Sequence, residues 1–182
     1  MPLTITEALA EIKTIGKRID KKREFIMGFL FRQEGLKDPL DKDGGSVEAI
    51  RRERQAIADL ELRIVNLRRG IQRANDTTEV TVGSNVLSIA DWLTWRRDVA
   101  PGQQAFLNNM RTRFHMLREQ AKRGGNAVIQ QNVAVSQDVK PSDFIVNVDE
   151  AELARQIEAL EETLGVLDGQ LSLKNATVMI EA

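Results

Sequence analysis

The 182-residue chain contains no cysteine and no tyrosine, a single histidine, and aromatic residues at only 4%. The missing thiols exclude disulfides, thiolate nucleophiles and thiolate metal sites. One histidine is too few for a histidine-based metal cluster, and a general base needs a nucleophile or an acid partner beside it. His115 sits among Arg111, Arg113 and Arg118 with no such partner in its vicinity. Few aromatics against 42% hydrophobic residues mean an aliphatic core, as in helical bundles. The net charge of −1 lacks the strong basic excess of a general nucleic-acid binder. No apolar run approaches the ~20 residues of a membrane span, and the N-terminal stretch lacks a basic-then-apolar leader. The expectation is a chain kept in the cytoplasm or built into a particle there, without cofactor or metal.

What is present is a seven-residue beat. Thr4-Ile5-Thr6-Glu7 reads as a capping box, in which the hydroxyl accepts a backbone N–H and the glutamate reaches back. Ile5, Ile12, Ile19 and Ile26 then recur at heptad spacing, with Ala8, Ile15 and Phe29 on the companion seam and Lys22 interrupting it. This predicts a helix of roughly 25–28 residues, about 40 Å long. Residues 35–45, rich in Gly, Asp and Pro, read as a flexible loop, and Ser46 as the cap of a second helix. There Ile50, Ile57, Ile64 and Ile71 form one seam, and Leu60, Leu67 and Ala74 the other. Isoleucine beside leucine seams suits two-stranded coiled coils, so the second helix folds back antiparallel on the first.

Asn75 and Asp76 are expected to end that helix by bonding their own backbone. Residues 79–88 alternate around Gly83 and predict a small β-hairpin. Ser88 caps a third helix, which Pro101-Gly102 should kink or split. A further β element is expected within 127–148, with Pro141 between its strands. Asp149 caps a last helix with Leu153, Leu160 and Leu167 on one seam and Ile157, Leu164 and Leu171 on the other; residues 175–180 extend it or lie as a tail. No internal repeat or domain boundary is evident. The fold class is mainly α: one domain over 1–182, a long antiparallel helical hairpin with additional packed helices and a minor β-hairpin.

Candidate sites are few. Asp38, Asp41 and Asp43 cluster, but neither register places the Gly and Glu that an EF-hand loop requires. The polar string Asn75-Asp76-Thr77-Thr78 has structural tasks and no catalytic partner. Arginines crowd the second helix, while the last helix carries Glu150, Glu152, Glu158, Glu161 and Glu162. Opposite charge on different helices points to charge-matched packing within or between subunits more simply than to nucleic acid. Trp92 and Trp95, three apart, share a helix face and either cover a bundle end or anchor a partner.

The string Ile71-Gln72-Arg73-Ala74-Asn75-Asp76-Thr77-Thr78, followed by the hairpin and Arg96-Arg97-Asp98, resembles the septicolysin-like family of small helical bacterial and phage proteins without established activity. Leu167-Asp168 and Asn175 match its last helix, while Ala176 stands where the family pattern has Trp. The resemblance implies a long helical hairpin, a small β element and oligomerisation; the family's name hints at cytolysis but assigns no residues. The sequence thus points to a non-enzymatic structural or assembly protein, a homo-oligomer and in its most concrete form a phage particle component. The expected contacts with other copies are Ile50, Ile57, Ile64, Trp92, Trp95, Leu160 and Leu164. A membrane-active cytolysin and a nucleic-acid-binding module are the alternatives.

Overall fold

The computed structural model describes residues 2–122 and 147–181. The β element expected at 127–148 falls almost entirely outside them. The fold is mainly helical, with two minor two-stranded sheets. Strand β1 (Leu3–Thr4) leads into helix α1 (Ile5–Gly28), and a loop with one 3₁₀ turn leads to helix α2 (Gly45–Thr77). Strands β2 (Glu79–Val82) and β3 (Asn85–Ser88) form a hairpin. Helix α3 (Ile89–Thr94) passes through a π turn (Trp95–Val99) into α4 (Ala100–Lys122). Helix α5 (Glu150–Thr177) ends in β4 (Met179–Ile180), which pairs antiparallel with β1.

Residue contacts divide the chain into two compact units, where the sequence suggests one domain. The first holds residues 1–80, 87–90 and 170–182; the second holds 81–86 and 91–169. In the first unit the two heptad seams meet as expected. Ile5, Ala8, Ile15, Ile19, Leu67, Ile71, Ala74 and Ile180 form one buried cluster, with Ile12, Ile57, Leu60 and Ile64 packed on it. The capping box forms: Glu7 N donates to Thr4 Oγ1 (3.2 Å), and Thr4 N donates to Glu7 Oε2 (2.8 Å). Lys22, which breaks the seam, is half-buried and ion-paired to Glu53 at 2.7 Å.

Local expectations fail at four places. Ser46 is not the cap of α2: the cap position is Gly44, at a φ of 94° that favours glycine. Ser46 lies inside the first turn, and its N–H and hydroxyl both donate to Asp38 (2.8 and 2.6 Å). A carboxylate from the preceding loop therefore does the capping. Asn75 and Asp76 do not end α2, which continues through Thr77. Helix α3–α4 is not broken at Pro101. Its irregularity is the π turn just ahead, where Ala100 N–H donates to Trp95 O. Proline has no N–H to give back to the preceding turn, and the wider coil comes immediately before it. Residues 175–177 extend the last helix, but beyond them the chain is neither helix nor free tail, because β4 finds a partner in a strand at the other end of the chain.

The structure also shows an internal duplication. Each half runs strand, helical arm, long helix, strand. Leu3-Thr4-Ile5 opens the first half as Leu87-Ser88-Ile89 opens the second. Burial along residues 61–80 matches that along 161–180 position by position, except at Gly70/Gln170 and Ala74/Lys174. The helix ends agree bond by bond. Thr78 N donates to Ala74 O and Val178 N to Lys174 O (2.9 and 2.8 Å). Thr77 Oγ1 donates to Arg73 O and Thr177 Oγ1 to Leu173 O (2.9 and 2.8 Å). The junctions agree as well: Ile5 N donates to Val178 O, and Ile89 N to Thr78 O. Along the opening arms, Ala8 corresponds to Trp92, both buried. Ile15, ten positions after Ile5, corresponds to Ala100, eleven after Ile89, both buried. The π turn absorbs that extra residue.

Candidate self-association surfaces

The residues expected to contact other copies are largely engaged within their own units. Ile57 and Ile64 pack on the buried cluster between α1 and α2. Ile50 is half-buried beside Val47, Arg51, Arg54 and Gln55, which line an open groove of ≈ 560 Å³. Leu160 and Leu164 are half-buried on α5. Trp92 is 2% exposed and therefore closed to a partner, which corrects its place among the contact residues. Trp95, half-buried, meets it edge-on with ring centroids 5.5 Å apart. Trp92 belongs to the buried core, as does Ala8 at the corresponding position.

Large apolar side chains remain in water elsewhere. At the α1–α2 turn, the helix ends when Phe29 N–H closes onto Ile26 O (3.1 Å), and Phe29 stacks at a tilt on Phe25 (4.7 Å between ring centroids). Beyond it Leu30 and Phe31 stand in the turn, with Phe31 90% exposed; Met27 and Leu36 are exposed nearby. Along α2, Val47, Leu62 and Val65 are 84%, 61% and 51% exposed. Leu62 and Val65 fall between the heptad seams, and Phe31 follows the last regular turn, so the heptad pattern does not mark them.

The charged groups give a mixed picture. In the first unit, Arg63 pairs with Glu11 (2.9 Å) and Arg23 with Glu61 (3.0 Å), tying α1 to α2. Arg51 binds Glu48, which lies on its own helix, and that contact holds the Glu48 carboxyl below its usual range. In the second unit, Arg96 reaches Asp168 (2.8 Å) and Arg118 pairs with Glu150. Arg54, Glu158 and Glu162 have no ionic partner among the described residues.

The polar corner and the acidic loop have structural tasks. Thr77 bonds back into α2, and Thr78 O receives the N–H that starts α3. The Asn75 side-chain oxygen is shielded from solvent and has no hydrogen-bond partner among the described residues. Asp38 accepts from the Ser46 hydroxyl, the Ser46 N–H and the Leu40 N–H, which lowers its pKa to about 2. Asp41 pairs with Lys37. No group of three or more metal-capable side chains occurs among the described residues. His115 is exposed on α4. No helix among the described residues is long and apolar enough to cross a membrane.

No family model matches the chain, and no curated protein matches it. A solved structure does: a functionally unknown conserved protein from Corynebacterium diphtheriae, 18% identical over 100% of both chains, with a TM-score of 0.53. At that identity the likeness is one of fold, and the mainly helical architecture is what the two chains share.

Proposed function

We propose that the chain is a non-enzymatic structural or assembly protein that works as a homo-oligomer. The observation that carries this reading is the set of large apolar side chains left in water. They run from Phe25 through Phe31 and Leu36 at the α1–α2 turn, and from Val47 to Val65 along α2. Such a concentration of exposed apolar side chains at one turn of a folded chain marks an interaction site. The resemblance to the septicolysin-like family adds the more concrete version, a component of a phage particle. The test is the native mass in solution by light scattering and sedimentation. Several multiples of 20.5 kDa are expected, and a monomer at all soluble concentrations would remove the proposal.

The exposed turn also favours a second reading, in which Leu30, Phe31 and Leu36 enter a lipid surface. That reading predicts dye leakage from vesicles, lost in Phe31→Ser. Assembly without leakage supports the structural role.

A further inference from the structure

Resting on that assembly reading, we infer that the outer face of α2 docks against the outer face of α5 in a second copy of the chain, antiparallel. Both faces are exposed, and they differ in character: one carries large apolar side chains and an arginine, the other small residues and glutamates.

On α2, Val47, Arg54, Ala58, Leu62 and Val65 follow one another at three- and four-residue steps or their sums, and so form one stripe. It lies well around the helix from the Ile57–Ile64 seam. All five are exposed. On α5, the stripe Ala151, Ala154, Glu158, Glu162 and Gly169 is likewise exposed.

Run antiparallel, the two stripes interlock. Val65 falls opposite Ala151, Leu62 opposite Ala154, Ala58 opposite Glu158, Arg54 opposite Glu162, and Val47 opposite Gly169. Each large apolar side chain meets a small one, which lets helix axes approach to the ~8 Å end of the usual range. Each acidic residue meets Arg54 or its neighbouring turn. These are charges without ionic partners among the described residues, and the contact would pair Arg54 with Glu162.

Self-pairing of either face is disfavoured by charge. Two α5 stripes run antiparallel set Glu158 against Glu162, and two α2 stripes offer Arg54 no acidic residue of the stripe to meet. The contact is therefore heterologous. One copy offers α2 and the next accepts with α5, and repetition yields a ring or a filament.

The absence of cysteine makes the test direct. Leu62→Cys protein is mixed with Ala154→Cys protein under mild oxidation. A covalent heterodimer is expected, with neither variant crosslinking alone. Crosslinking of Leu62→Cys with itself, or none in the mixture while the native mass stays oligomeric, would overturn this contact but leave the assembly reading standing. A monomeric wild type overturns both. In parallel, Arg54→Glu and Glu162→Arg should each weaken association about ten-fold or more, and the two together in one chain should restore it. Both sites are exposed, so thermal melts should stay near wild type; failure of the double variant to recover association counts against the pairing.

Discussion

Replacing glycine by alanine inside a helix ordinarily stabilises it by about 1 kcal/mol, because glycine loses more backbone freedom on folding. Gly70→Ala should do the opposite. Gly70 is buried in α2 where the end of the chain crosses it. A Cβ there would sit 2.9 Å from the Glu181 carbonyl oxygen and 3.3 Å from Ile180 Cδ1. The first contact is with backbone, so relief requires moving the segment that pairs β4 with β1. Overpacking of this kind costs about 1–3 kcal/mol, which outweighs or cancels the gain in helix propensity. The expected result is a melting temperature lowered by up to roughly 8 °C, at 2–4 °C per kcal/mol for a chain of this size. Faster amide exchange at Ile5, whose N–H donates to Val178 O, should accompany it. Gly16 in α1 has nothing within 4 Å of its would-be Cβ and serves as the control: Gly16→Ala should raise the melting temperature by about 2–4 °C. Equal stabilisation by both variants would mean that the chain end does not press on α2.

Leu67 and Leu167 are corresponding, fully buried positions of the two halves. Each Leu→Ala change should cost about 2–5 kcal/mol, read from the urea midpoint at unchanged slope; a loss below ~1 kcal/mol at either site would contradict its place in a core. Asp38→Asn should loosen the start of α2 at neutral pH, seen as faster exchange of the Ser46 amide. The Asp38 pKa is lowered from 3.8 to about 2, so its contribution is complete above about pH 4 and fades as pH falls toward 2. The variant should differ from wild type at pH 7 and converge with it near pH 2; a difference that persists unchanged in acid would speak against the carboxylate's role.

The heptad isoleucines and leucines determined on their own that α1, α2 and α5 would be long helices and which stripe each would bury, because a helix turns every 3.6 residues whatever surrounds it. The Thr4–Glu7 cap, the Asp149 cap and the Gly83 hairpin were legible for the same reason: donor, acceptor and turn lie within a few residues of each other. The candidate surfaces were less so. Leu62 and Val65 look like any apolar residue in a helix until burial shows that the seam has passed them by, and Trp92 looks like a partner anchor until the core encloses it.

Features that depend on distant partners came from the packed fold. Asp38 replaced Ser46 as the cap of α2 because a loop folded back to bring it there. Strands as short as β1 and β4 exist only because the two ends of the chain meet. The duplication stayed hidden because packing fixes burial and hydrogen bonds but not residue identity. Leu67 and Leu167 match in kind, whereas Ala8 and Trp92 fill corresponding places with side chains of very different size.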